Sequence, residues 1–304
     1  MTPLRALLLI NQASRQGAEN ADAARDHLRA LDVDVLMGDV KQPTDIPEQI
    51  RQRAAEVDVI VLGGGDGTLN LAAGSVMESG KPMAVLPLGT ANDFARTLLI
   101  PVDLQSACRN VVQGVDHGID LGQCNEVYFV NVASIGLSVR ACEYRSDAAK
   151  KMFGSLGYAA NVFSAVRDTK PFGAEVRFDG KTERLHSIQI AIGNGRYFGG
   201  GMAVSSDAAL DDGQLDVYSL KPQRLTSLIR MLPGLIRGPD ESMQGLQMFE
   251  GTEFEIRTDS PMDINTDGEL LTATPATFRV LPRALTVKVP QAYMEQYGYR
   301  HKEA

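Results

Sequence analysis

Apolar and polar positions alternate on two scales along this chain. In the first third, short unbroken apolar runs precede longer stretches with apolar residues at helical spacing. Ala6-Leu7-Leu8-Leu9-Ile10 is such a run, the pattern of a strand buried on both faces. Residues 18–31 follow, with Ala21, Ala24, Leu28 and Leu31 spaced for one helix face. Further strands are predicted at 33–37, 57–62 and 83–86. Helices are predicted at 44–56, with Thr44 as cap and Pro47 in the first turn, and at 69–78, 94–99 and 103–113. Strand and helix alternating in this way predict a parallel sheet with helices on both faces. Ligands of such sheets bind beyond the carboxyl ends of the strands. The polar loops at 11–17, 63–68 and 89–93 all fall on that edge.

After residue 120 the period shortens. Runs at 127–133, 174–178, 184–192, 202–205, 214–220, 252–257, 262–265, 276–281 and 285–289 predict strands, many separated by Gly and Asp turns such as Asp179-Gly180 and Asp212-Gly213. Helical stretches at 148–168 and 224–236 interrupt them. The pattern predicts a doubly wound α/β domain over 1–121 and an antiparallel β-rich, sandwich-like domain over 122–290. A polar tail, 291–304, is expected to pack back on the first domain.

The 304 residues suffice for two domains, and 44% of them are hydrophobic. A formal net charge of −8 argues against a protein that coats nucleic acid, and leaves room for a local basic patch against an anionic membrane. Cys108, Cys124 and Cys142 are odd in number and form no CxxC. That argues against a disulfide framework or zinc site and fits a reducing cytoplasm. The run at 6–10 is short of the roughly 7–15 apolar residues of a signal peptide core. No apolar stretch approaches the roughly 20 residues of a membrane span. A cytoplasmic protein with at most peripheral membrane contact is expected.

Gly63-Gly64-Gly65-Asp66-Gly67-Thr68 lies between a predicted strand and a predicted helix. Four glycines in five positions supply no packing and cost chain entropy. At a helix N-terminus, free N–H groups and the helix dipole favour phosphate. The stretch fails GxGxxG, because Thr68 stands where the third Gly belongs, and the chain has no GxxxxGK[ST]. A nucleotide site of another kind is the reading left, with Asp66 beside the phosphates.

Gly64-Gly65-Asp66-Gly67-Thr68 resembles the GGDGT motif of the diacylglycerol kinase catalytic domain. That superfamily includes sphingosine kinases and, more distantly, NAD kinases. Pro87-Leu88-Gly89-Thr90-Ala91-Asn92-Asp93-Phe94-Ala95 resembles the second loop of its lipid kinase branch, which NAD kinases lack. Residues 11–17 resemble the first loop, with Gln12 where Pro is usual. Residues 194–202, 207–216 and 267–269 resemble bacterial lipid kinases, so the resemblance spans nearly the whole chain.

The resemblance implies ATP as co-substrate, held by Asn11, Gly64, Gly65, Asp66, Gly67, Thr68, Leu69, Asn70, Thr90 and Asn92. Asp66 would hold a catalytic Mg²⁺ directly or through water. A structural Mg²⁺ would sit on Asp212 and the carbonyls of Ala209 and Gln214. Glu269 falls at the family's proton-acceptor position, and Asp267 lies close to the same chemistry. Taken alone, Asp267-Gly268-Glu269 reads as a hairpin turn with two solvated acids; only its place in the ordered set of motifs points to chemistry, and which carboxylate takes the proton stays open. The implied reaction moves the γ-phosphate of ATP to a lipid hydroxyl, between the two domains. Diacylglycerol is the default acceptor, and phosphatidylglycerol, a sphingoid lipid or, more distantly, NAD are alternatives. The implied partners are the lipid and a membrane surface. A homodimer is allowed, and no nucleic acid partner is implied. Arg196, and Lys150 and Lys151 on a basic apolar stretch, are further candidates for anionic contacts.

Overall fold

The apolar runs of the first third form the parallel sheet that their pattern predicts. The computed structural model describes residues 3–11, 15–139, 169–195, 197–198, 202–203, 209–223, 227 and 243–297. The chain divides into two units. One comprises the described residues within 1–121, 210–212 and 281–304, the other those within 122–209 and 213–280.

In unit one, β1 (Arg5–Ile10), α1 (Arg15–Arg29), β2 (Asp34–Met37), α2 (Ile46–Arg53), β3 (Val59–Gly64), α3 (Asp66–Ser79), β4 (Met83–Pro87), α4 (Asp93–Thr97) and α5 (Leu104–Gln113) follow one another. The strands lie in the order β2-β1-β3-β4, all parallel. Leu8, Ile10, Val59, Val61, Ala84 and Leu86 pack with Ala21, Ala24 and Leu28 of α1 and Ala107, Cys108 and Val111 of α5. Leu7, Leu9, Ile60 and Leu62, on the alternate face, are equally buried, and α2 and α3 pack together. The register matters for function: Ile10 pairs with Gly63, and Gly64 with Pro87. The carboxyl ends of β1, β3 and β4 are therefore level. Next comes β5 (Val115–Cys124).

In unit two the described strands are β6 (Val127–Phe129), β7 (Val132–Gly136), β8 (Phe172–Phe178), β9 (Lys181–Ser187), β10 (Gln189–Gly193), β11 (Tyr197–Phe198), β12 (Met202–Ala203), β13 (Leu215–Leu220), β14 (Leu246–Gly251), β15 (Glu253–Thr258), β16 (Asp263–Thr266), β17 (Glu269–Ala273) and the first part of β18 (Ala276–Val289). One antiparallel sheet runs β14-β13-β10-β7-β16-β17, and another joins β18, β15, β8 and β9. Ile135, Ile190, Val217 and Ile264 from the first meet Val176, Phe254, Ile256 and Phe278 from the second in one core. The later part of β18 belongs to unit one, where Val287 pairs parallel with Met83 of β4. Helix α6 (Gln291–Tyr297) follows and buries Tyr293 against His117, ring centroids 5.5 Å apart.

Several boundaries differ from the sequence pattern. The run 127–133 is two strands, broken at Val130 and Asn131, whose N–H groups go to a side chain instead of a ladder. The run 184–192 divides at Ile188 between β9 and β10, which belong to different sheets. Conversely, 276–289 is one strand, β18, passing through Arg283 at φ 51°. Strands β5, β14 and β17 carry no clean alternation and are absent from the sequence reading. Residues 43–45 form a 3₁₀ turn, so α2 begins at Ile46. Thr44 is not its cap: the Asp45 carboxylate ties the turn by accepting from the N–H groups of Lys41 and Gln42. The stretches 148–168 and 224–236 lie almost wholly outside the described residues, as do Lys150, Lys151 and Arg196. Among the described residues, no helix is long and apolar enough to cross a membrane.

Candidate functional site

Strand β3 ends at Gly64, Gly65 is extended (φ −101°, ψ −176°), and α3 starts at Asp66. Asp66, Gly67 and Thr68 therefore form the first helical turn. The N–H groups of Thr68 and Leu69 are already used, both donating to the Gly65 carbonyl at 2.9 and 3.2 Å. The N–H groups at the helix opening that remain are those that precede them, at Gly65, Asp66 and Gly67. A Cβ on Gly67 would meet nothing within 4 Å, so no protein contact demands a glycine there. It leaves the opening of the helix bare. Leu69, the next residue of the helix, is 2% exposed and belongs to the core, and Asn70 is also buried.

The second loop is pressed onto the first. A Cβ on Gly89 would lie 2.4 Å from the Gly65 Cα, so the two backbones touch where both residues lack side chains. The Leu88 N–H donates to the Gly64 carbonyl at 3.0 Å. Asn92, in the left-handed region at φ 51°, closes its own loop: Oδ1 accepts from the Gly89 N–H and Nδ2 donates to the Gly89 carbonyl, both at 2.9 Å. The Asp66 carboxylate then spans the loops. Its two oxygens accept from the N–H groups of Asp93 (3.1 Å) and Phe94 (2.9 Å), the first turn of α4. Asp66 is thereby a cap for another helix as well as the acid of the glycine loop. Thr90 is exposed, and Asn11, just after β1, is half-buried on the same strand edge.

In unit two, the structure separates the two acids that the sequence leaves equivalent. Asp267 (φ 50°) and Gly268 (φ 104°) make the tight turn between β16 and β17. The Asp267 carboxylate accepts from three consecutive backbone N–H groups, Val130 (2.6 Å), Asn131 (3.1 Å) and Val132 (2.9 Å). It staples the break between β6 and β7. Glu269 opens β17 with an exposed side chain, and its carboxylate takes no hydrogen bond or ion pair among the described residues.

The stretch 209–214 turns at Gly213, φ 70°. Asp212 and Ala209 are half-buried, and Gln214 is exposed. The buried carboxylate is the neighbouring Asp211, whose Oδ2 lies 2.7 Å from His117 Nε2. The Leu210 carbonyl accepts from the Asp120 N–H at 2.6 Å, and Asp120 Oδ1 accepts from the Arg283 N–H at 2.8 Å. Burial, then the Asp211 charge, holds the nearby Tyr293 hydroxyl protonated well above its ordinary range. Sequence reasoning missed this His117–Asp211–Tyr293 arrangement, whose members are too far apart in the chain to form a motif. Among the described residues, no group of three or more His, Cys, Asp or Glu is clustered for a metal.

Comparison with known proteins agrees along most of the chain. The diacylglycerol kinase catalytic domain matches residues 5–124. The YegS C-terminal NAD kinase beta sandwich-like domain matches residues 131–289. The "Probable lipid kinase YegS-like" protein of Yersinia enterocolitica is 31% identical over 291 residues, covering 93% of this chain and 96% of the relative. The diacylglycerol kinase of Bacillus subtilis is 30% identical over 244 residues, covering 79% and 80%. A solved structure from Bacillus anthracis str. Sterne aligns with TM-score 0.81 at 25% identity, over 96% of this chain and 97% of that one. A diacylglycerol kinase from the same strain shares the fold at TM-score 0.74 and 21% identity, over 96% and 98%. With both domain matches in order on one chain, and relatives aligned over most of their length, the protein belongs to the lipid kinases of the diacylglycerol kinase family.

Proposed function

We propose that this kinase transfers the γ-phosphate of ATP to a lipid hydroxyl, with diacylglycerol as the first candidate and phosphatidic acid as its product. The observation that carries the proposal is the unequal state of Asp267 and Glu269. Asp267 is occupied by three N–H donors, whereas Glu269 is exposed and unengaged. Glu269 is therefore the proton acceptor. As the acceptor oxygen bonds to the γ-phosphorus and the bond to the ADP leaving oxygen breaks, the hydroxyl proton passes to the Glu269 carboxylate. Phosphate binding falls to the bare helix opening at Gly65, Asp66 and Gly67, with Asn11, Thr90 and Asn92 on the neighbouring loops for phosphate or ribose.

Mg²⁺ fits the donor chemistry on two counts. The Asp66 oxygens each keep a lone pair beyond their N–H bonds, enough for a hydrated ion, and Asp212 with the Ala209 and Gln214 carbonyls offers hard oxygen donors. Bound at the phosphates, the ion neutralises charge that develops in the transfer. A lipid acceptor calls for peripheral contact with a cytoplasmic membrane surface. The test is label transfer from γ-labelled ATP to diacylglycerol, phosphatidylglycerol, a sphingoid base and NAD, assayed side by side. Labelled phosphatidic acid is expected, and label appearing only on NAD contradicts the reading.

A further inference from the structure

We propose that His117 is a positioning residue for the divalent cation read at residues 209–214, holding Asp211 so that the turn keeps its oxygens directed at the ion. The inference rests on the Mg²⁺ reading above. Among the described residues, no three His, Cys, Asp or Glu side chains gather for a metal. An ion here therefore needs Asp212 together with the carbonyls of Ala209 and Gln214. A carbonyl points where its backbone points, so its value as a ligand depends on the groups that fix the turn. Two hydrogen bonds fix its start. The buried Leu210 offers its carbonyl to the Asp120 N–H at 2.6 Å, and the Asp120 carboxylate is held in turn by the Arg283 N–H at 2.8 Å. The buried Asp211 carboxylate lies 2.7 Å from His117 Nε2. An ionised carboxylate only accepts, so Nε2 carries the hydrogen, and a bond to a charged acceptor is of the stronger kind. The Tyr293 ring of α6 meets the imidazole at 61°, centroids 5.5 Å apart, and so sets the plane in which Nε2 points. Residue 211 is thereby fixed one position before Asp212, and Gly213 completes the bend at φ 70°. Beyond burial, the charges of Asp211, Asp212 and Asp120 all reach the Tyr293 hydroxyl. These carboxylates lie in one another's field, and a divalent cation at Asp212 offsets their repulsion.

The test titrates the nucleotide-free protein with Mn²⁺, an oxygen-preferring stand-in for Mg²⁺, and counts the free ion by its electron paramagnetic resonance signal. Asp212→Ala identifies the site as the binding that it removes. His117→Phe keeps a ring against Tyr293 but loses the donor, whereas His117→Gln keeps a donor at similar reach. Tyr293→Leu leaves His117 and Asp211 in place while loosening the imidazole, and it decides the matter if His117→Phe does not fold. His117→Phe is expected to weaken Mn²⁺ binding about 10–100-fold and Tyr293→Leu about threefold, the effects of losing and of loosening an outer-shell partner, with His117→Gln within about threefold of the unaltered protein. A role in stability alone lowers the thermal midpoint and leaves the Mn²⁺ affinity of the folded protein where it was. Unchanged affinity in His117→Phe, or in Tyr293→Leu where the former does not fold, therefore overturns the assignment. An equal loss in the Phe and Gln variants overturns it as well, and both results leave the cation reading in place. Mn²⁺ binding that is absent from the unaltered protein, or untouched by Asp212→Ala, overturns the cation reading and the assignment with it. The lipid kinase reading is judged apart from these, by label transfer.

Discussion

Asp66 and Phe94, 28 residues apart in the chain, are joined by a 2.9 Å hydrogen bond from the Phe94 N–H to Asp66 Oδ1. With its 3.1 Å companion from Asp93, this bond fixes the second loop on the glycine loop. Removing the carboxylate therefore has two effects. Asp66→Ala leaves two helix N-terminal donors without their acceptor, and hydrogen bonds to a charged group are worth about 1.5–3 kcal/mol each. Urea denaturation is expected to show a loss of about 2 kcal/mol, alongside lost turnover. A variant as stable as the parent contradicts the capping role.

Gly67 and Gly89 make opposite predictions. Gly67→Ala meets no protein atom within 4 Å and sits at a helical position, so stability holds or rises by about 0.5 kcal/mol. Its methyl group nevertheless occupies the opening assigned to phosphate, so KM for ATP rises. Gly89→Ala drives a Cβ to 2.4 Å from the Gly65 Cα, forces the loops apart, and lowers stability and ATP binding together. Chemical denaturation paired with ATP titration separates the two cases.

Asp267 and Glu269 are two residues apart and differ in what they hold. Asp267→Ala strands the N–H groups of Val130, Asn131 and Val132, and each unmet buried donor costs about 1–3 kcal/mol. The expected result is a destabilised protein, seen as a lower thermal midpoint. Glu269→Gln removes an exposed, unengaged carboxylate, so the midpoint stays put while kcat falls about 10²–10⁴-fold.

Burial raises the Cys108 thiol from 9.0 to about 11 and the Cys124 thiol to about 12. Raised folded values mean that the native state keeps protons the unfolded chain releases. Their contribution is complete below about pH 9 and is lost as pH climbs towards 11–12. Stability is expected to fall across that window. Both thiols also stay protonated and unreactive at pH 8. Peptide mapping after alkylation is expected to find Cys108 and Cys124 labelled only in the unfolded protein.

The parallel sheet was legible because its strands are buried on both faces and read as unbroken apolar runs such as 6–10. Strand β5 was not, since Asp116, His117, Gly118, Asp120 and Gly122 break any apolar run in it. Strand β17 opens with Glu269 and exposes Leu270 and Leu271, so its polarity does not alternate. The candidate phosphate loop was legible from local composition alone. The tasks of Asp66 and Asp267 were not, because their donors come from segments 27 and 137 residues away. A motif names an acid, but only the fold shows what it already holds. The Asp267-Gly268-Glu269 turn illustrates this: one carboxylate ties two strands together, and the other stands exposed.

The most direct measurement is the single-turnover rate of label transfer from γ-labelled ATP to diacylglycerol, with Mg²⁺, by the unaltered enzyme and by Glu269→Gln. The account predicts labelled phosphatidic acid from the first and a rate lowered at least about 100-fold in the second, with an unchanged thermal midpoint. Near-equal rates, or no lipid product from the unaltered enzyme, contradict it.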